Sequence, residues 1–83
     1  MNPSYAVILV YSTSYALRVE KILQGAGINT KLIPVPRHLS SDCGVCVRIL
    51  QTDQDQAVQQ LEKDRCEYAS IHPLADWKDQ SKP

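Results

Sequence analysis

A continuous run of apolar, β-branched and aromatic side chains occupies residues 5–11, with the sequence Tyr-Ala-Val-Ile-Leu-Val-Tyr. A strand with one buried face alternates apolar and polar residues, whereas a strand covered on both faces stays apolar throughout. The run therefore predicts a central strand with a covering layer on each side. It is far shorter than a bilayer span, and no Lys or Arg precedes it as in a signal peptide, so we expect a cytoplasmic protein with no membrane partner.

Two helices are predicted from the spacing of apolar residues. Ser12, Thr13 and Ser14 are candidate N-caps of the first helix, and Gly25 and Gly27 are its candidate stop signals. The second helix is expected to begin with a capping box, in which Asp53 is followed by Gln56 three positions later, and to end near Arg65.

Three further strands complete the pattern. Residues 31–36 form the second strand, and its prolines confine the far half to a sheet edge or make it leave the sheet. A loop over residues 37–45 leads into the third strand, in which two sets of side chains alternate and differ in polarity: Val45, Val47 and Ile49 on one face, and Cys46, Arg48 and Leu50 on the other. Residues 68–71 form the fourth strand.

The element order predicts an α+β, ferredoxin-like βαββαβ two-layer sandwich. Its mainly antiparallel four-stranded sheet has strands one and three in the middle and two helices on one face. We expect a single domain over residues 1–73 and a C-terminal tail over residues 74–83. Because helices cover only one face of an apolar first strand, the other face requires the tail around Trp77 or a second chain, and a homodimer is the expected solution.

Charge and cysteine count limit the class of protein. Nine basic and nine acidic residues give no net charge, which disfavours broad binding to nucleic acid or to anionic lipid and favours a small-molecule or protein partner. Three cysteines cannot all pair within one chain, which fits a reducing compartment better than a disulfide-stapled secreted protein.

The loop before the third strand carries the residues with the most evident chemistry. Cys43 is flanked by Ser41 and Gly44 and precedes Cys46 by three positions. Cationic neighbours lower the pKa of a thiol and stabilise its anion, whereas the adjacent carboxylate of Asp42 opposes that effect. The candidate cations are Arg37, His38 and Arg48, with Arg18 reaching in from the first helix. The amides of Gly44 and Val45 are candidates for an anion-binding nest.

Several segments together resemble a known family. They are residues 16–23 (ALRVEKIL), 25–28 (GAGI), 31–37 (KLIPVPR) and 40–44 (SSDCG). They resemble the selenium and sulfur carrier protein-like family of small bacterial domains, over about residues 5–68. The resemblance implies a non-enzymatic carrier without a cofactor, which holds a persulfide or selenopersulfide on Cys43. It also implies partners that donate and accept sulfur or selenium.

The residues around Cys43 receive roles from this resemblance and from their chemistry. Arg37, Ser41, Gly44, Arg18 and Arg48 are the expected substrate-binding residues. Position 46 more often carries a small residue in the family, so Cys46 is a candidate resolving thiol.

Other functions remain open at this point. A Cys-x-x-Cys pair of Cys43 and Cys46 is compatible with a thiol-disulfide redox protein, although it precedes a strand and lacks the helix N-terminus of thioredoxin-type reductases. A zinc site would need His38, Cys43, Cys46 and Cys66 together, and a structural zinc is not expected. A protein-interaction domain is a further alternative. A self-contained hydrolase or transferase is disfavoured because no phosphate-binding glycine loop, carboxylate pair or Ser/His/Asp grouping is evident.

Overall fold

The structure is a computed structural model that describes residues 4–35 and 44–74. Its elements are β1 (Tyr5–Leu9), α1 (Thr13–Gly25), β2 (Lys31–Pro34), β3 (Val45–Leu50), a 3-10 turn (Gln51–Asp53), α2 (Gln54–Lys63) and β4 (Ser70–Pro73). The strands form one antiparallel sheet in the order β2-β3-β1-β4. The predicted ferredoxin-like α+β sandwich is therefore confirmed, with strands one and three in the middle. Neither helix in the described ranges is long and apolar enough to span a bilayer.

The side chains of β1 alternate between two apolar clusters, one on each side of the sheet. Ala6 and Ile8 belong to the cluster on the helix side, and Val7 and Leu9 belong to the cluster on the other side. All four are at most 4% exposed, as expected for a strand covered on both faces. The helix-side cluster also contains Val10, Ala16, Val19, Leu23, Ile28, Val47, Ile49, Ala57, Leu61 and Cys66.

The second cluster, on the side away from the helices, is buried within a single chain. Val7 and Cys46 have no exposed surface, and the Leu74 side chain packs against them. The Leu74 N–H donates a 2.7 Å hydrogen bond to the Tyr5 carbonyl. These side chains therefore do not need a second chain to cover them. The homodimer remains a prediction, but the need to cover an open apolar face no longer supports it. The predicted cover around Trp77 lies outside the described residues.

The predicted limits of β1 and β4 are corrected together. β1 ends at Leu9 rather than at Tyr11, whose side chain is 56% exposed and meets the Tyr15 ring edge-to-face at 5.8 Å. β4 pairs with β1 and begins at Ser70, the partner of Leu9, rather than at Tyr68. Because β1 ends at Leu9, the ladder with β4 begins at Ser70, and the preceding Ala69 N–H donates a 2.7 Å hydrogen bond to the Leu9 carbonyl.

The N-terminus of α1 is capped as predicted, whereas that of α2 is not. Ser12 is extended, and its hydroxyl oxygen accepts a 3.4 Å hydrogen bond from the Tyr15 N–H. Asp53 makes no side-chain capping bond, so the predicted capping box with Gln56 is wrong. The 3-10 turn that precedes α2 holds Asp53 at φ −93° and ψ 0°, away from the extended conformation that an N-cap requires.

Both helices end in a Schellman motif, in which a residue of left-handed conformation follows the C-cap. Gly27 takes this position after α1 with φ +83°, and Ile28 N–H donates to the Leu23 carbonyl at 3.0 Å. Arg65 takes it after α2 with φ +55°, and Cys66 N–H donates to the Leu61 carbonyl at 2.8 Å. The residue after each left-handed position packs back on its helix, which explains the burial of Cys66.

The two glycines at the end of α1 should respond oppositely to alanine. Gly27→Ala should lower the free energy of unfolding by roughly 1–2 kcal/mol, because a Cβ disfavours the left-handed conformation although it would meet no atom there. Gly25 is the last residue of α1, and a Cβ there would also meet no atom within 4 Å. Gly25→Ala should therefore raise the free energy of unfolding by up to roughly 1 kcal/mol, because alanine favours the helix more than glycine does. Urea unfolding followed by circular dichroism measures both, and equal stability of the two variants would contradict the assignment.

Candidate functional site

The candidate site lies at the end of the sheet where β2 and β3 join. Val35 N–H donates a 3.2 Å hydrogen bond to the Gly44 carbonyl, and Pro34 lies opposite Val45 in the strand register. The two ends of the cysteine loop are therefore held together by the sheet. Four predicted site residues lie outside the described residues: Arg37, His38, Ser41 and Cys43.

Gly44 is exposed, and the predicted nest of the Gly44 and Val45 amides stays a prediction, because its geometry depends on Cys43, which lies outside the described residues. A nest needs successive residues in turn-like conformations of opposite hand. Since Val45 already belongs to β3, that pair of residues would have to be Cys43 and Gly44. The pairing of Val45 with Pro34 keeps the chain extended from Val45 onwards. A Cβ at Gly44 would meet no atom within 4 Å, so the fold itself does not require a glycine here.

Cys46 lies in the cluster on the side away from the helices, with no exposed surface. It pairs with Leu9 of β1 and with Ile33 of β2, and its sulfur is 3.9 Å from the Pro34 carbonyl oxygen. A reagent in solution cannot reach this thiol while the cluster is packed.

Arg48 is on the same face of β3 as Cys46, as predicted, but its charge has another partner. The guanidinium carbon lies over the Tyr5 ring, 4.2 Å from the ring centroid. Tyr5 lies opposite Leu50, at the end of β3 away from Gly44. The structure therefore directs Arg48 away from the end of the sheet to which Cys43 is joined. Sequence reasoning missed Tyr5 because the strand register cannot be read from either segment alone.

Arg18 is near Cys66, a pair that sequence reasoning also missed. Cys66 follows α2, is 5% exposed, and packs in the helix-side cluster. Burial raises the pKa of its thiol, the positive charge of Arg18 opposes this, and the carboxylates of Asp64 and Glu67 add to it. Burial prevails, so the thiol of Cys66 is held in its neutral and less nucleophilic form.

The alternative of a four-ligand zinc site would require Cys46 and Cys66 to share one ion, and the fold separates these two residues. Cys46 packs with Val7 and Leu9 on one side of the sheet, whereas Cys66 packs with the helices on the other. A zinc ion binds sulfur at about 2.3 Å, so one ion cannot be shared by thiols on opposite sides of a sheet. Within residues 4–35 and 44–74, no group of three or more His, Cys, Asp or Glu side chains is placed to hold a metal ion.

The fold and site define a small α+β domain in which Cys43 belongs to the loop that joins β2 to β3, and in which the thiols of Cys46 and Cys66 are buried. A family profile described as "Putative Se/S carrier protein-like" matches residues 5–73. The chain belongs to this family of selenium and sulfur carrier protein-like domains. The match extends from the first residue of β1 to the last residue of β4. Searches of curated proteins and of solved structures found no match.

Burial of Cys66 should make stability depend on pH in the alkaline range. The raised pKa means that the unfolded thiol ionises near its ordinary value of 9.0, before the folded one. The stabilisation is therefore complete below that pH and is lost as pH rises towards the folded pKa. The stability difference between the parent and Cys66→Ala should shrink between about pH 8 and about pH 10 in urea unfolding. A constant difference would contradict ionisation of a buried Cys66.

Proposed function

We propose that the protein carries a sulfur or selenium atom on Cys43 and passes it between enzymes. In the loading step, the Cys43 thiolate attacks the outer sulfur of a donor persulfide. The donor sulfur–sulfur bond breaks, the donor thiolate leaves with the electron pair, and a persulfide forms on Cys43 with no net oxidation or reduction. Unloading repeats the exchange with an acceptor thiolate. A selenium atom follows the same course as a selenopersulfide.

The observation that carries this proposal is the burial of the other two thiols. Cys46 has no exposed surface and Cys66 is 5% exposed, and burial raises the pKa of the Cys66 thiol. Persulfide transfer between proteins needs an accessible thiolate, which neither of these residues offers. The description of the family as selenium and sulfur carrier protein-like supports a sulfur or selenium cargo, and the burial of the other two thiols favours Cys43 as its carrier.

The closed hairpin end supports a transfer role. The hydrogen bond between Val35 and Gly44 joins the two ends of the loop next to the edge strand β2 and the inner strand β3. In general, a loop whose ends are fixed on a rigid sheet can carry a reactive group without disturbing the packed core. Gly44, next to Cys43, is exposed and has room for a side chain, so its proposed role is to let a partner approach the sulfur.

The Cys43 thiolate and its persulfide need a nearby positive charge and a hydrogen-bond donor. Arg37 is the proposed cation beside Cys43, with Ser41 as a hydrogen-bond donor to the terminal sulfur or selenium. Arg18 and Arg48 are less suited to this role. The charge of Arg18 lies near the Cys66 thiol and lowers its pKa, and the Arg48 guanidinium is stacked on the Tyr5 ring. The proposed partners are the donor and acceptor enzymes, and the carrier itself completes no reaction.

A set of three single-thiol replacements tests the assignment. Cys43→Ala should abolish loading from a persulfide donor, whereas Cys46→Ala and Cys66→Ala should keep it, because both of those thiols are buried. Alanine is preferred to serine at position 46, since a hydroxyl buried among Val7 and Leu9 would cost roughly 1–3 kcal/mol if unpaired. Loading is measured by intact mass, with circular dichroism to verify folding.

The same set separates a carrier from a dithiol redox protein. A carrier variant without Cys46 still accepts one sulfur atom per chain. A redox protein that uses both cysteines would instead lose two hydrogens on oxidation in the parent and would lose that reaction in Cys46→Ala. Loading of Cys43→Ala at the rate of the parent would overturn the proposal.

A further inference from the structure

A groove with two positive charges lies at the end of the sheet away from Gly44. It has a volume of about 370 Å³ and is lined by the start of β1 and β2 and the end of β3. Tyr5, Asn29, Thr30, Lys31 and Arg48 contribute its polar groups. The proposed carrier chemistry uses none of this surface.

The two cations face each other across neighbouring strands. Lys31 is the register partner of Arg48, so the two side chains project from the same face of the sheet. Like charges directly opposite each other in a β-ladder are destabilising, and stacking on the Tyr5 ring offsets this repulsion for Arg48 only. Among the residues that the structure describes, neither Lys31 nor Arg48 forms an ion pair with a carboxylate.

The remaining groups hold these cations in place and add hydrogen-bond capacity. Arg48 is half-buried, and stacking over the Tyr5 ring orients its guanidinium at the groove, since a guanidinium in this position still presents N–H donors at its edge. Thr30 accepts a 3.0 Å hydrogen bond from the Gln24 amide through its hydroxyl oxygen, so the hydroxyl hydrogen can donate elsewhere. The Asn29 amide adds two further donors.

We propose that this groove binds a phosphate-type oxyanion, either free or borne by a small organic molecule. The residues that line this one groove carry a guanidinium, an ammonium group and neutral donors, which match the several acceptor oxygens of such an anion. Bound between Lys31 and Arg48, the anion would also relieve their mutual repulsion. The site does not involve Cys43, so it stands or falls independently of the carrier function.

Binding can be tested on the full-length ¹⁵N-labelled chain by titration with inorganic phosphate at constant ionic strength, balanced with chloride. Amide signals of Tyr5, of residues 29–31 and of residues 48–50 should shift and saturate. Lys31→Gln should weaken binding about tenfold or more, because it removes a charge-assisted hydrogen bond. Lys63→Gln is the matched control: it removes an equally exposed lysine at the end of α2, near the opposite end of the sheet, and should change nothing.

Variants at position 48 distinguish charge from geometry. Arg48→Gln should weaken phosphate binding as much as Lys31→Gln, and Arg48→Lys should restore part of it, since an ammonium keeps the charge but not the planar fork. If Arg48→Gln unfolds through loss of its stacking on Tyr5, Lys31→Gln still decides the question because Lys31 is exposed. Cys43→Ala should bind phosphate like the parent.

A comparison of inorganic phosphate with glycerol 3-phosphate identifies the source of the anion. Equal affinity assigns the site to the oxyanion alone, and tighter binding of the ester assigns it to an organic phosphate that fills more of the groove. The proposal is overturned if phosphate causes no saturable shifts at these residues, if shifts spread over all surface cations, or if Lys31→Gln and Lys63→Gln behave alike.

Discussion

The antiparallel pairing of β1 with β3 at the centre of the sheet determines the placement of nearly every other group. Five consecutive residues of β1 pair with β3, and four of them also pair with β4. Because a strand directs successive side chains to opposite faces, this single register decides which residues meet the helices and which form the second cluster. A shift of β3 by one residue would turn the Val47 side chain away from the helices and would place the Cys46 and Arg48 side chains in the helix-side core.

The fold places the three thiols in different surroundings. Cys46 is placed opposite Leu9 and packs with apolar side chains, and Cys66 is drawn under α2 by the helix-terminating turn at Arg65. Both thiols serve as small apolar side chains that fill the two clusters. Cys43 differs from them because it lies in the loop that joins β2 to β3, and the hydrogen bond of Gly44 with Val35 closes that loop against the sheet.

The fold was predictable because its signals are local and agree with one another. The apolar run at residues 5–11 predicted a central strand, Ser12 was among the three candidate caps of α1, and Gly27 was one of its two candidate stop signals. The end of β1 was not predictable, since Val10 and Tyr11 continue the apolar run and only pairing with β4 shows that the ladder stops at Leu9. A left-handed arginine after α2 gives no sequence signal, because glycine or asparagine is the usual residue there.

The candidate site was less predictable than the fold, since its contacts join residues far apart in the chain. Arg48 was correctly placed on the face of Cys46, but its stacking on Tyr5 depends on the register between β1 and β3. The proximity of Arg18 to Cys66 depends on how α1 packs near the end of α2. The zinc alternative failed for the same reason, because spacing along the chain does not reveal on which side of the sheet each cysteine lies.

The central claim is that Cys43 carries the cargo while the packed domain protects the other two thiols. The most direct measurement is intact and peptide-level mass spectrometry of the native protein, purified without reductant from its own cells. The account predicts a fraction of chains heavier by one sulfur or one selenium atom, with the added mass on the peptide that contains Cys43 and removable by a thiol reductant. Added mass on Cys46 or Cys66, or a disulfide that joins Cys43 to Cys46 in place of any added atom, would contradict it.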